Sequence, residues 1–294
     1  MKLAGVGDNV VDRYMDLGLM FPGGQALNVA VYARRFGLES AYVGAIGDDV
    51  AGRQVLGAMR SEGLDISRLR IVAGTNAHAE VALVDGDRQF MGGNAGVSKF
   101  RLSESDLAYL SEFDFVHSSE SSYLEDQLGL LAGVAPVSFD FAVRRDPAYI
   151  EPLLPHVTIA EFSLGDLDEG AAKAWLQHIQ SLGPRLVLGT RGASGALLLE
   201  GDRFWYQPTV STEVIDTLGA GDAFIARVLV GVVRGEPFEI SLAEAAVAAA
   251  STCRAYGAFG YGTAAYPPHS SDWNTTVVSG SPANQGMLKG GVFE

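Results

Sequence analysis

Val214-Ile215-Asp216-Thr217-Leu218-Gly219-Ala220-Gly221-Asp222-Ala223-Phe224 reads as a strand, a tight glycine turn and the first turn of a helix. Gly219 and Gly221 permit backbone dihedrals that a side chain forbids and let a ligand come close to the main chain. The helix behind them leaves its first amides without helical partners and carries partial positive charge at that end, so it attracts a phosphate or a developing oxyanion. Asp222 falls in the first helical turn, beside those donors. A carboxylate there suits a base that takes a proton from a hydroxyl while the amides of Gly219, Ala220 and Gly221 receive a phosphoryl group. The same letters also suit an ordinary helix start, because acids favour first turns.

A second motif, about two hundred residues earlier, separates these readings. Gly23-Gly24-Gln25-Ala26-Leu27-Asn28-Val29-Ala30 runs on to Gly37 and Gly47. The two stretches, in this order, resemble the N- and C-terminal signatures of the ribokinase-like (PfkB) sugar kinases over about residues 1–260. Two positions depart from that pattern: Leu218 stands where the family usually has Thr, and Arg227 where it usually has a small residue. The resemblance implies an α/β fold, a three-layer α/β/α core with a mainly parallel central sheet and a small β-lid over the sugar.

The whole chain fits one such domain. Its 294 residues are 48% hydrophobic and 19% charged, ordinary for a globular protein, and at this length about 75% of the unfolded surface is buried on folding. A formal net charge of −14 argues against nonspecific nucleic-acid binding, which rests on basic patches. The one cysteine, Cys253, excludes an intrachain disulfide, and its alanine-rich surroundings favour a buried structural thiol. Met1 to Asp8 shows no signal-peptide pattern and no apolar run reaches spanning length, so a cytoplasmic setting without membrane contact is expected.

Strands are expected at Leu3–Val6, Ala41–Ile46, Phe113–His117, Val137–Phe141, Val157–Ala160, Arg185–Gly189 and Ala196–Leu199. Helices are expected over residues 25–36, from Asp49 through Met59, and over 219–235 and 239–256. Strands alternating with helices suggest parallel βαβ units. Ile71-Val72, His78–Val84 and Arg88–Met91 read as short strands, with a hairpin turn at Asp85-Gly86-Asp87. The resemblance implies that residues 9–22 and 70–98 form the lid of a kinase domain spanning 1–262. Beyond it, 263–294 is rich in turn formers and is expected to be an irregular tail. Edge strands of a lid offer pairing to a second copy, so a homodimer through the lid is expected.

The resemblance places the sugar site at Asp8, Asp12, Gly23, Gly24 and Asn28. Carboxylates accept sugar hydroxyls, Asn28 offers a donor and an acceptor, and Gly23-Gly24 opens the backbone to a ligand. Each of these residues equally suits a turn or a cap. Gly189-Thr190-Arg191-Gly192-Ala193-Ser194-Gly195 resembles the family's nucleotide loop, where Thr190, Gly192 and Gly195 would meet ATP, with Ala249, Ser251 and Gly257 as weaker candidates. It also reads as a plain β-turn, with Arg191 a solvated loop residue. No GxxxxGK[ST] segment is present, which excludes a Walker-type loop. Phosphoryl transfer from ATP calls for Mg2+. The family's Asn-x-x-Glu near the metal is replaced by Ser163-Leu164-Gly165-Asp166, close to Glu161. Asp166 either reaches the metal through water or serves only as a helix-start acid. A monovalent cation beside Asp216 is a further implication of the resemblance. His78 and His117 are read as satisfied polar residues rather than ligands.

Within the family, Gly7-Asp8-Asn9-Val10-Val11-Asp12, Pro22 to Tyr32, Asp114-Phe115-Val116-His117 and Ser138-Phe139-Asp140-Phe141 resemble the fructoselysine 6-kinase branch. The implied reaction moves the γ-phosphoryl of ATP to the 6-hydroxyl of fructoselysine or a related fructosamine. Glu80, Glu120 and Asp140 are candidates to meet the cationic amino-acid tail, with Glu120 read mainly as a surface acid. The alternatives are a kinase for fructose, ribose, a sugar acid or a nucleoside, and a sugar-binding sensor that has lost turnover.

Overall fold

Short apolar runs with small or β-branched residues favour strands buried on both faces. In the computed structural model, which describes residues 1–84 and 87–265, such runs build one large sheet. Its order is β13 (Arg203–Gln207), β12 (Ala196–Glu200), β11 (Leu186–Thr190), β10 (Ile159–Ser163), β9 (Val137–Asp140), β8 (Phe115–Ser119), β1 (Lys2–Gly7), β4 (Glu39–Gly47) and β5 (Leu69–Val72). β12 runs antiparallel to both neighbours, and the other pairings are parallel.

Helices cover both faces. Leu3, Phe115, Ile159 and Leu188 pack against α1 (Gln25–Arg35), α2 (Val50–Glu62), α7 (Ala220–Arg234) and α8 (Phe238–Thr252). Val6, Val116, Phe139 and Phe162 pack against α3 (Glu104–Leu110), α4 (Leu128–Ala132) and α6 (Glu169–Ser181), with the short α5 (Pro147–Ile150) beside them. This is the expected three-layer α/β/α core. The expected list lacks α3, α6 and β13. Their signals are local: Ser103 and Asp106 form a reciprocal capping box, and Asp168 accepts from the Ala171 amide, both patterns that start helices.

Two insertions at the carboxyl end of the sheet make the lid. β2 (Val10–Tyr14) and β3 (Leu19–Gly23) interrupt the β1-to-α1 connection, and β6 (His78–Val84) and β7 (Asp87–Asn94) follow β5. With β14 (Thr263–Ala264) they form a second sheet in the order β14-β3-β2-β6-β7. Two boundaries shift. Leu69–Val72 pairs with β4 in the main sheet, so residues 70–72 are not lid. Thr263 and Ala264 pair with Met20 and Leu19, so lid structure extends past residue 262. Asp85 and Gly86 of the expected hairpin turn, and 266–294 of the expected tail, lie outside the described residues.

Val214-Ile215 is not a strand. The amides of Ile215 and Asp216 bond instead to the Cys253 carbonyl at 2.8 and 3.2 Å, pinning this segment to the end of α8. Cys253 itself is half-buried, not fully buried.

The chain leaves β1 toward β4 and β5 on one side and returns to β8 on the other. In open α/β sheets a crevice forms at the carboxyl ends of strands where the order reverses this way. Here those ends are Gly7-Asp8 and Ser119.

Candidate active site

Asp8 leaves β1 and turns back on the chain. Its oxygens accept from the amides of Gln25 and Ala26 at 2.8 and 3.1 Å and from the hydroxyls of Ser119 and Ser122 at 3.1 and 3.0 Å. Burial pushes its carboxyl up, and those four donors pull it back. Asp8 therefore holds the start of α1, where acceptors are needed, through four donors of the protein itself. Gly24 completes this corner: its φ is 112°, and a Cβ there would lie 2.6 Å from the Asn9 Cα. A Cβ on Gly23 would lie 2.4 Å from Asp12 Oδ2, so the lid carboxylate occupies the space beside that glycine. The structure thus brings Asp8, Asp12, Gly23 and Gly24 to one corner of the crevice.

One turn into α1, Asn28 donates from Nδ2 to Asp222 Oδ2 at 2.6 Å. This contact joins the two sequence motifs. Asn28 is buried and its Oδ1 has no partner. Asp222 is half-buried in the first turn of α7.

Gly219 caps α7 in the left-handed conformation, φ 75°, and a Cβ there would press on Ala258 at 2.6 Å. The Ala220 amide closes the turn onto the Thr217 carbonyl at 3.2 Å, so it is not a donor facing outward. Gly221 is exposed, and a Cβ on it would meet nothing within 4 Å. The open part of the turn is therefore Gly221, with the positive end of the α7 dipole behind it,. Asp216 anchors the turn: Oδ1 accepts from the Leu218 amide at 3.0 Å, and Oδ2 accepts from the Gly257 amide at 3.0 Å and from the Tyr14 hydroxyl.

Behind Asp222 lies a carboxylate that was expected only as a contact to the substrate tail. Asp140, at the end of β9, accepts from Gln25 Nε2 at 2.7 Å and from the Ala142 amide at 2.8 Å. Burial, reinforced by Asp222, Glu120 and Asp8, lifts it to about 7. Ala142, with φ 51°, holds a conformation unfavourable for a side chain,. Glu120 is half-buried and paired with Arg144 at 2.8 Å rather than a freely solvated surface acid, and Glu80 faces Arg13 across the lid in register.

The nucleotide-loop residues follow β11. Gly192 has φ 54° with open space where a Cβ would stand, whereas a Cβ on Gly195 would lie 2.2 Å from the Gln207 carbonyl oxygen. The Thr190 hydroxyl is 3.4 Å from the Phe162 carbonyl. Arg191 is not a solvated loop residue: it is 8% exposed and donates to the Leu167 carbonyl at 3.2 Å. Ser251 is exposed on the last turn of α8. Gly257 stands apart from the loop: its amide holds Asp216, and its Cα lies against the Phe21 ring of the lid.

Asp166 is gripped by Arg145 through two bonds of 2.9 and 2.5 Å, which lower its pKa. Among the described residues no group of three or more His, Cys, Asp or Glu side chains is gathered for a metal. His117 is fully buried against Ser138, and burial pushes it down to about 3. His78 sits half-buried in the lid. His78 Nδ1 and His117 Nε2 are buried without a hydrogen-bond partner, so neither is the fully satisfied polar residue expected. Arg227 is buried between Glu236 and Glu244, so the family departure at this position serves α7–α8 packing. No helix among the described residues is long and apolar enough to cross a membrane.

The switch point of the sheet, a carboxylate at a helix mouth and a lid sheet beside them form an arrangement suited to phosphoryl transfer,. The model of the pfkB family carbohydrate kinases matches residues 15–260. The chain belongs to that family and is an ATP-dependent carbohydrate kinase. It is 44% identical over 267 residues to fructosamine kinase FrlD of Bacillus subtilis (strain 168), covering 89% of this chain and 94% of that one. It is 36% identical over 259 residues to fructoselysine 6-kinase of Escherichia coli (strain K12), covering 87% and 99%. Among solved structures it is similar to Arabidopsis thaliana ribokinase complexed with ribose and ATP, with TM-score 0.75, 21% identity and coverage of 87% and 94%. It is also similar to Salmonella enterica aminoimidazole riboside kinase, with TM-score 0.70, 23% identity and coverage of 88% and 95%. At these identities the likeness establishes the ribokinase-like fold.

Proposed function

We propose that the protein transfers the γ-phosphoryl group of ATP to the 6-hydroxyl of fructoselysine or a related fructosamine. The observation that carries the chemistry is the Asn28–Asp222 hydrogen bond at the open mouth of α7. Asn28 orients the Asp222 carboxylate, and its unpartnered Oδ1 offers an acceptor to a sugar hydroxyl. The attacking hydroxyl gives its proton to Asp222 as its oxygen bonds to the γ-phosphorus and the bond to the ADP oxygen breaks. The Gly221 amide and the α7 dipole stabilise the charge on the moving group.

Gly192 and the exposed end of α8 at Ser251 flank the room for the nucleotide. A bound Mg2+ would supply charge neutralisation on the ATP phosphates, and among the described residues no cluster of side chains is gathered to hold it. Asp166, already held by Arg145, is at most a distant partner through water. Three hydrogen-bond donors already surround the Asp216 carboxylate, so any monovalent cation there would rest on neighbouring backbone carbonyls rather than on this side chain.

The substrate class rests on the relatives named fructosamine kinase and fructoselysine 6-kinase, at 44% and 36% identity. A coupled ADP-release assay tests it. With fructoselysine, kcat/KM is expected to exceed that for fructose or ribose by on the order of 10⁴-fold, the discrimination that a site built to hydrogen-bond its substrate gives. Strong activity on plain sugars with none on fructosamines would overturn the substrate, while leaving the kinase chemistry.

A further inference from the structure

Tyr14 and Asp216 are 202 positions apart and belong to different bodies, yet the Tyr14 hydroxyl donates to Asp216 Oδ2 in the interior. Tyr14 ends lid strand β2 and is 1% exposed. Asp216 is 5% exposed and leads into the Gly219–Gly221 turn. From its other contacts, Asp216 also fixes the Leu218 amide inside that turn and the Gly257 amide beyond α8.

The apolar contacts run along the same line. Tyr14, Phe21 and Val81 form a small lid core, and Leu218 and Tyr256 of the body pack into it. The Tyr14 ring meets Phe21 and Tyr256 edge-on at 5.3 and 6.0 Å. Leu218 is the position at which this chain departs from the family's usual Thr, and here its side chain is the body's plug in the lid. The lid and the anion-hole turn are therefore tied by a buried polar bond inside an apolar cluster, where such a bond is strengthened by its surroundings.

We infer that Tyr14 is a positioning residue for phosphoryl transfer: its hydroxyl, carried by the lid, holds the Asp216 carboxylate and thereby the orientation of the Gly219–Gly221 turn. This rests on the proposed role of that turn as the anion hole. The hydroxyl touches neither the sugar nor ATP in this scheme. It acts by keeping the turn amides aimed at the reacting group, and small misplacements of such donors cost large factors in rate. The lid that covers the sugar thus also sets the geometry that receives the phosphoryl group.

The test is Tyr14→Phe, which keeps the ring and its packing and removes only the hydroxyl. We expect kcat to fall about tenfold while KM for ATP and for the sugar stays within about twofold. A residue that served stability alone would lower Tm and leave turnover per folded molecule unchanged. Asp216→Asn provides a second handle should Tyr14→Phe fold poorly, with a loss of at least the same size expected. In the double variant the losses should not add, because both act through one bond. Folded Tyr14→Phe or Asp216→Asn with kcat within twofold of the parent, or fully additive losses, overturns the inference. An Asp222→Asn control run alongside separates the two readings: if it loses turnover while Tyr14→Phe does not, only the strut fails. If Asp222→Asn stays active, the reading of the turn fails with it.

Discussion

Two glycine stretches frame the crevice, and they do opposite jobs. Gly23-Gly24 is filled: Asp12 lies against one glycine, and the Asn9 and Asp8 backbone against the other. Gly219–Gly221 is divided: Gly219 presses on Ala258, while Gly221 faces open space. The first stretch is glycine because chain packs on chain. The last glycine of the second meets no protein atom where a Cβ would stand, which fits the proposed passage of a phosphoryl group there.

The largest effect that follows is at Gly24. Gly24→Ala forces a side chain into φ 112° and into the Asn9 backbone, costing on the order of 3–5 kcal/mol from strain and overpacking. Chemical denaturation should show most of the stability gone. A loss below about 1 kcal/mol would mean that this corner is loose and that the contrast between the two stretches is false.

Gly221→Ala should behave in the opposite sense. The added methyl meets no protein atom and removes a flexible residue from a helix, so stability rises by about 0.5–1 kcal/mol. In the same variant the methyl stands where the phosphoryl group must pass, and kcat should fall about tenfold, equivalent to about 1.4 kcal/mol of barrier. Unchanged turnover would show that the open space is not used.

Asp140 gives a smaller effect that sharpens the electrostatics around Asp222. Burial raises it from 3.8 to about 7, so between those values the folded state holds a proton that the unfolded state has lost. That contribution is present below pH 4 and disappears as pH rises through about 7. Asp140→Asn removes the titration, and Gln25 Oε1, buried and unpartnered, can accept from the new amide. The Tm of the variant relative to the parent should therefore climb by several degrees from pH 4 to pH 8. A difference independent of pH would show that Asp140 is not held neutral.

Much of this was legible in the sequence because it is local. Strand–glycine–helix boundaries gave the βαβ core, and two motifs gave Asn28 and Asp222 before their contact was seen. What escaped was decided across space. Asp8 reads equally as a sugar acceptor or a turn residue by position, and only its contacts across space show that its oxygens also cap α1. Asp166 sits where a metal residue was sought, but Arg145, twenty-one positions away, claims both its oxygens. Arg227 reads as a damaged motif and is instead an ion bridge between helices. Val214-Ile215 has the composition of a strand, but the Ile215 and Asp216 amides find the Cys253 carbonyl. Spacing fixes where a residue lies along an element, not which side chain from two hundred residues away will meet it, as the Tyr14–Asp216 bond shows.

Rapid-quench single-turnover kinetics on Asp222→Asn bear on the proton transfer itself, because they isolate phosphoryl transfer from binding and product release. The amide keeps the shape of the side chain and its place beside Asn28 but cannot take the proton. The transfer rate should drop by about 10²–10⁴-fold, with ATP affinity and Tm close to those of the parent. A transfer rate within about threefold of the parent would show that the hydroxyl loses its proton elsewhere, and Asp222 would no longer be the base.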